Sequence, residues 1–213
     1  MKPLTGIKVV DFSKVLAGPL CTQYLGDIGA DIIKVEPPGL GDESRGWPPF
    51  RAGLGTTFLS VNRNKRSNAL DLKSEEGRGI AHALASRADV VVESFNTGVA
   101  ERLGIDAVTL RSLNSRLIHC SISGFGRSGP LKNSPGYDVI LQAFCGIMAM
   151  TGEEGGGYVR SPISPIDQMT GSHAFSGILA SLLEHSHRIK HRTPQIIQAD
   201  KLQPGNCRYL IPQ

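Results

Sequence analysis

Apolar and polar positions change period several times along the chain, and each change marks an element. Residues 7–12 (IKVVDF) form a short β-branched run and read as a strand. Leu16-Ala17-Gly18-Pro19 then turns into a helix carrying Cys21, Leu25 and Ile28, which stops at Gly29. Residues 30–36 (ADIIKVE) are a second strand, ended by Pro37-Pro38-Gly39. Strand, helix and strand with short connections predict a parallel β-α-β unit. Residues 37–54 are a Gly/Pro-rich loop, residues 57–61 fit a short helix or strand, and residues 62–66 (NRNKR) make a basic turn. Residues 67–72 read as a strand, and residues 74–77 open a helix with Ile80, Ala83 and Leu84 on its apolar face. Residues 88–93 are a buried-looking strand, Asn96-Thr97-Gly98 caps a helix through Leu103, and residues 117–123 are another strand. A helix over 172–184 presents Phe175, Ile178, Leu179, Leu182 and Leu183. This alternation predicts an α/β fold built on an open, doubly wound (Rossmann-like) parallel sheet. Residues 1–184 are expected to make the folded domain. The polar, basic and aperiodic residues 185–213 are expected to be a divergent, poorly ordered tail.

Composition narrows the picture only a little. A chain of 213 residues with 40% hydrophobic and 20% charged residues is ordinary for a soluble globular protein. A net charge of +4, spread along the chain, argues for no nucleic-acid partner and is compatible with a small polyanionic ligand. Cys21, Cys120, Cys145 and Cys207 are far apart, and three of them lie in apolar or small-residue settings. Buried thiols in a reducing compartment are expected. No apolar run reaches membrane-spanning length and the N-terminus carries no signal-peptide pattern, so a cytoplasmic location without membrane partners is the expectation.

Candidate chemistry is sparse. The first strand is not followed by a GxGxxG turn, and no Walker A or G-x-S-x-G pattern occurs. His185, His187 and His191 resemble a metal tract but lack a fourth ligand, so no metal site is predicted. Arg63, Lys65, Arg66, Lys73 and Arg102 recur near strand ends, where an open α/β sheet binds its ligands; they either meet a phosphorylated ligand or form a solvated surface. Glu93-Ser94-Phe95-Asn96 directly follows a buried strand and is ligand-facing by the same rule, or supplies a helix cap. Asp138, after Gly136-Tyr137, fits the start of a helix. Asp167 lies alone in an otherwise uncharged stretch, on a Pro-bounded turn ahead of a helix. On local sequence a helix cap is the stronger reading for it, and a nucleophile kept in a dry pocket is the other.

Taken in order, a larger set of motifs carries a resemblance. These are residues 4–12 (LTGIKVVDF), 16–19 (LAGP), 25–36 (LGDIGADIIKVE), 38–42 (PGLGD), 62–67 (NRNKRS) and 70–73 (LDLK). They continue with 92–95 (VESF), Gly124-Phe125-Gly126 with Gly129-Pro130, Gly136-Tyr137-Asp138, and Asp167 before Gly171. Over residues 4–184 the chain resembles the family III coenzyme A transferases, the CaiB/BaiF group. The resemblance implies that Asp167 is a nucleophile that attacks an acyl-CoA thioester. An aspartyl acyl anhydride and then an aspartyl-CoA thioester follow, and the CoA passes to a carboxylic acid. It implies CoA contacts from Leu16, Ala17, Leu70, Asp71, Leu72, Lys73, Ser94, Phe95, Asn96, Arg102, Ser134, Pro135, Gly136 and Tyr137. CoA and acyl-CoA enter as substrates, with no tightly bound cofactor.

Some relatives are racemases of 2-methylacyl-CoA thioesters and carry a His in the middle of the Gly-x-Asp turn. Tyr137 stands there in this chain, which favours transfer over racemisation. Full-length members of the group are longer, with a second, smaller domain, and form intertwined homodimers. Where they typically continue with a Thr-Gly-x-Gly-Gln turn, this chain reads Arg192-Thr193-Pro194-Gln195. It therefore reads as a truncated or frame-shifted form, or one with an alternative terminus. A non-catalytic CoA-binding fragment is the alternative to a transferase.

Overall fold

The computed structural model describes residues 1–187, 195–201 and 208–210. β1 (Lys8–Asp11), β2 (Asp31–Glu36), β5 (Lys65–Ala69), β6 (Val90–Glu93), β7 (Ile118–Ser123) and β8 (Gln195–Asp200) pair in parallel. A short β9 (Arg208–Leu210) runs antiparallel along β8. Phe50–Arg51 and Leu54–Gly55 (β3 and β4) make a separate hairpin. The spatial order is β5-β2-β1-β6-β7-β8-β9. Counting only the six parallel strands in chain order, that is 3-2-1-4-5-6, the doubly wound arrangement expected from the sequence.

The inner strands β1, β6 and β7 are buried on both faces, so alternate residues enter different cores, while the edge strand β5 is largely exposed. On one face Val9, Val90, Val92, Ile118, Cys120 and Ile122 pack under α1 (Ala17–Asp27) and α7 (Pro165–His187). On the other, Val10, Phe12, Val35 and Val91 pack under α3 (Glu75–Ala85), α4 (Val99–Leu103) and α5 (Ala107–Leu113). Residues 56–61, left open between helix and strand, are helical: α2 (Thr56–Val61). Cys21 and Cys120 are buried as expected, whereas Cys145 is exposed; Cys207 and His191 lie outside the described residues. No described helix is long and apolar enough to cross a membrane.

Two expectations need correction. The folded unit does not stop at residue 184. Gln195–Asp200 pairs with β7 over six residues, and Ile197 and Ala199 are buried in the core shared with α7. Its strand pattern is short and flanked by polar, basic residues, which is why the local sequence reads as tail. α7 also begins at Pro165, seven residues ahead of 172. Proline suits the first helical position because its missing N–H would be unpaired there in any case. The residues that follow it, through Ser172, are too polar or small to show an apolar period.

Candidate active site

In a 3-2-1-4-5-6 sheet the strand order reverses beside the first strand, and the crevice beyond the strand C-termini opens there. Here it lies between the ends of β1 and β6. Two cavities meet at that point and share Lys14, Glu43 and Phe95.

The first, of about 260 Å³, is lined by Leu16, Ala17, Ser94, Phe95, Asn96, Ser134, Pro135, Gly136, Tyr137 and Asp167. The second, of about 370 Å³, is lined by Leu70, Asp71, Leu72, Lys73 and again Phe95. Residues picked from separate motifs thus converge on one crevice. Arg102 does not: it is exposed on α4 and lines neither cavity.

Arg63, Lys65 and Arg66 are not ligand-facing cations. They precede or open β5, at the opposite end of the strand from the crevice, and each is committed internally. Arg63 pairs with Asp27, Arg66 with Asp31, and Lys65 with Asp11 at 3.1 Å. The cations that do line the first cavity are Lys14, Lys132 and Lys201.

The crevice wall is held from beneath by buried charges. Asp11, at the end of β1, accepts hydrogen bonds from Ser13 N–H (2.9 Å), Ser13 Oγ, Thr22 Oγ1 (2.6 Å) and Lys65 Nζ. Burial would push its carboxyl up, but Lys65 and Lys34 with the Ser13 and Thr22 hydroxyls outweigh this and hold it at about 2. Lys34 Nζ donates to the Ser13 carbonyl at 2.7 Å and pairs with Asp42 at 3.0 Å; Asp42 in turn accepts the Val15 N–H. Val15 has φ +69°, which a β-branched residue adopts only when its surroundings impose it. The buried ion pairs therefore fix a strained loop in the cavity wall. No side chain caps the α1 N-terminus that follows, so its positive end opens into the cavity. Across the crevice, Arg127 bridges Glu93 Oε1 (2.6 Å) and the Phe95 carbonyl (2.7 Å), setting the course of residues 94–96.

The two aspartates divide their labour. Asp138, at the start of α6 (Asp138–Phe144), accepts the Ile166 and Asp167 N–H groups on Oδ1 at 2.9 and 3.0 Å, and Gln142 Nε2 on Oδ2. Asp138 is thus the cap of α7, and the capping reading of Asp167 gives way. Asp167, in the first turn of α7, is 5% exposed and faces the cavity.

Its charge partner is a residue that sequence reasoning missed: Lys201 Nζ, 2.5 Å from Oδ1 and also donating to the Gly136 carbonyl at 2.8 Å. Burial pushes the Asp167 carboxyl up from its ordinary 3.8; Lys201 opposes this, Asp138 adds to it, and the net direction is up. Lys201 reaches the site because it follows β8, one more strand C-terminus on the crevice, and nothing in its local sequence announces that.

Gly124 and Gly136 let the loops at this wall cross. A Cβ on either would stand 2.5 Å from the other's Cα. Among the described residues no group of three His, Cys, Asp or Glu side chains is placed to hold a metal ion.

Such a protein is an α/β domain with a split crevice at the sheet's switch point; of the buried carboxylates in its walls, Glu36 and Asp42 are held in ion pairs beneath the second cavity and Asp167 faces the first. The chain belongs to CoA-transferase family III, whose model matches residues 4–197. It is 44% identical over 185 residues to the succinyl-CoA:glutarate CoA-transferase of Mus musculus, covering 86% of this chain and 42% of that protein. It is 43% identical over 220 residues to the succinate–glutarate CoA-transferase of Agrobacterium fabrum, covering 98% of this chain and 55% of that one. The acetyl-CoA:oxalate CoA-transferase of Acetobacter aceti is 42% identical over 181 residues. A CaiB/BaiF family protein from Brucella suis has the same fold, with a TM-score of 0.87 and 36% identity over 95% of this chain and 54% of that one. The chain spans about half the length of the curated relatives it matches.

Proposed function

We propose that this chain carries the CoA-binding and acyl-accepting site of a CoA-transferase, which moves coenzyme A from an acyl-CoA thioester to a carboxylic acid. Asp167 is the nucleophile. Its carboxylate attacks the thioester carbonyl, the C–S bond breaks, and an aspartyl acyl anhydride forms with CoA thiolate leaving. The thiolate attacks the aspartyl carbonyl, releasing the first acid and leaving an aspartyl-CoA thioester. The acceptor carboxylate then attacks that thioester, the C–S bond breaks to give a second anhydride, and the CoA thiolate attacks its acceptor carbonyl, forming the new acyl-CoA and freeing the Asp167 carboxylate.

The observation that carries this reading is the release of Asp167 from capping. Asp138 takes both helix N–H groups, so Asp167 is buried at the cavity wall with its carboxylate turned to the ligand space. A carboxylate is a weak nucleophile in water and a better one where few waters solvate it. Binding of the CoA body along Leu70–Lys73, Ser94–Asn96 and the uncapped α1 N-terminus supplies the energy that holds the thioester against it. Tyr137 is 48% exposed at the cavity mouth, where it meets ligand without bringing an imidazole for proton abstraction. The relatives' named substrates point to short dicarboxylic acids and their CoA thioesters as the compounds to test first. A homodimer completes the reading, supported by the apolar side chains exposed along α6 and the start of α7.

Asp167→Ala is expected to lower transfer by at least about a thousandfold. It should leave CoA affinity within about twofold, since it removes no group assigned to the CoA body. Isotope exchange between labelled succinate and succinyl-CoA, beside calorimetric CoA titration, checks both. Equal loss of binding and exchange would sink the assignment. Retained CoA binding in a wild-type chain that shows no exchange would favour CoA binding without turnover, a reading that draws on Lys201 standing against Asp167.

A further inference from the structure

The Lys201–Asp167 contact places an amine within bonding reach of the one side chain proposed to carry an acyl group. Nζ stands 2.5 Å from Asp167 Oδ1. In an anhydride on Asp167 the acyl carbon is a single bond from a carboxylate oxygen, so Nζ needs no backbone motion to reach it. The amine is also held in place. Its Nζ donates to Gly136, the Lys201 N–H donates to the Ser123 carbonyl at 2.9 Å, and the neighbouring Asp200 accepts Ser123 Oγ at 2.6 Å. Groups fixed at contact distance react at very large effective concentrations.

We infer that Lys201 is an internal acylation site: an acyl group placed on Asp167 moves to Lys201 Nζ and stays there as an amide. The inference rests on the nucleophilic role proposed for Asp167.

The balance closes without another reagent. Attack by Asp167 on the thioester gives the anhydride and CoA thiolate, and consumes the negative charge that faced the ammonium. The remaining nearby carboxylates are occupied: Asp138 by the Ile166 and Asp167 N–H groups and Gln142, Asp200 by Ser123. The Lys201 ammonium is then left facing the anhydride, and the departing thiolate is a base at hand. Proton transfer yields CoA thiol and a neutral amine. The amine adds to the acyl carbonyl, the bond from acyl carbon to Asp167 oxygen breaks, and the released carboxylate takes the second proton from nitrogen. The net change is one acyl-CoA to one Nε-acyl-lysine and CoA thiol. Lys201 is only 15% exposed and Asp167 is buried, so little water competes. The acceptor acid competes instead, which makes the modification a timer: a chain starved of acceptor silences itself.

The test incubates the chain with succinyl-CoA and no acceptor acid, then treats it with hydroxylamine and maps peptides by mass. Lys201 is expected to carry one hydroxylamine-stable succinyl group, at least about tenfold above any other lysine. Asp167→Asn should bring it down to the level of the others, and Lys201→Arg should stop the reaction at a hydroxylamine-labile adduct on Asp167. A labile Asp167 adduct in the wild-type chain with Lys201 unmodified overturns the inference and leaves the proposed function standing. Equal labelling of Lys201 in Asp167→Asn overturns the relay, because the amine is then attacking the thioester itself. A CoA-binding chain with no adduct at either residue overturns both.

Discussion

Asp167 is asked for two incompatible things. Its folded-state carboxyl is pushed up by burial and by Asp138, so it holds its proton more tightly in the fold than in the unfolded chain. The stability it contributes is present below its unfolded value of 3.8 and is lost as pH rises through the folded value. The proposed chemistry needs the opposite form, the carboxylate. Lys201 is the residue that reconciles them, since its cation opposes the effect of burial. Lys201→Met removes that opposition and moves the Asp167 carboxyl further up. The acid limb of acyl-adduct formation against pH should therefore shift to higher pH, with the plateau above it retained. A purely structural Lys201 would lower the rate evenly at every pH and leave the limb in place. Rapid-quench measurement of the Asp167 adduct across the pH range separates the two.

At the scale of elements, the site depends on α1 and α7 lying almost backbone to backbone. Gly171 makes this possible: a Cβ there would sit 2.6 Å from the Ala17 carbonyl oxygen. Gly171→Ala is expected to wedge the helices apart, cost about 1–3 kcal/mol in chemical denaturation, and weaken CoA binding because Leu16 and Ala17 shift with α1. Unchanged stability and affinity would show that the helices yield without cost. This contact also marks the limit of what the sequence reveals. Buried β-branched runs such as Val90-Val91-Val92 identify their strands outright, and their alternation with helices gives the doubly wound fold class, while the strand order is visible only in the structure. The start of α7 stays hidden because its cap, Asp138, lies far back along the chain. Lys201 stays hidden because only the pairing of β8 with β7 carries it to the crevice. Arg63, Lys65 and Arg66 mislead for a simple reason: a strand has two ends, and basic residues near one do not say which. α5 is signalled in the sequence only by Asp106, which caps it through Val108 and Thr109, and its short apolar pattern is weak beside the neighbouring runs.

For the whole molecule, the inner strands of the sheet are buried on both faces, yet the described surface still shows a concentration of apolar side chains. Ile140, Phe144, Met150, Ile163 and Met169 are all exposed, and all lie between the start of α6 and the first turns of α7. Scattered apolar residues on a surface need no explanation, but several large ones along one stretch mark a surface that associates. The same stretch leads into Asp167, so a partner seated there would also shield the carboxylate from water and reinforce the burial on which the proposed chemistry relies. The chain is therefore expected to self-associate with rising concentration, as followed by sedimentation velocity. Phe144→Asp with Met169→Asp should shift it toward monomer, because a carboxylate placed in a contact must give up its hydration. Both positions are exposed in the single chain, so its thermal unfolding should move little. Association and adduct formation are expected to fall together in that variant. A wild-type chain that sediments as a monomer at every concentration would remove the dimer from the proposed function. A monomeric variant that forms the Asp167 adduct at the wild-type rate would show that the single chain dries its own site.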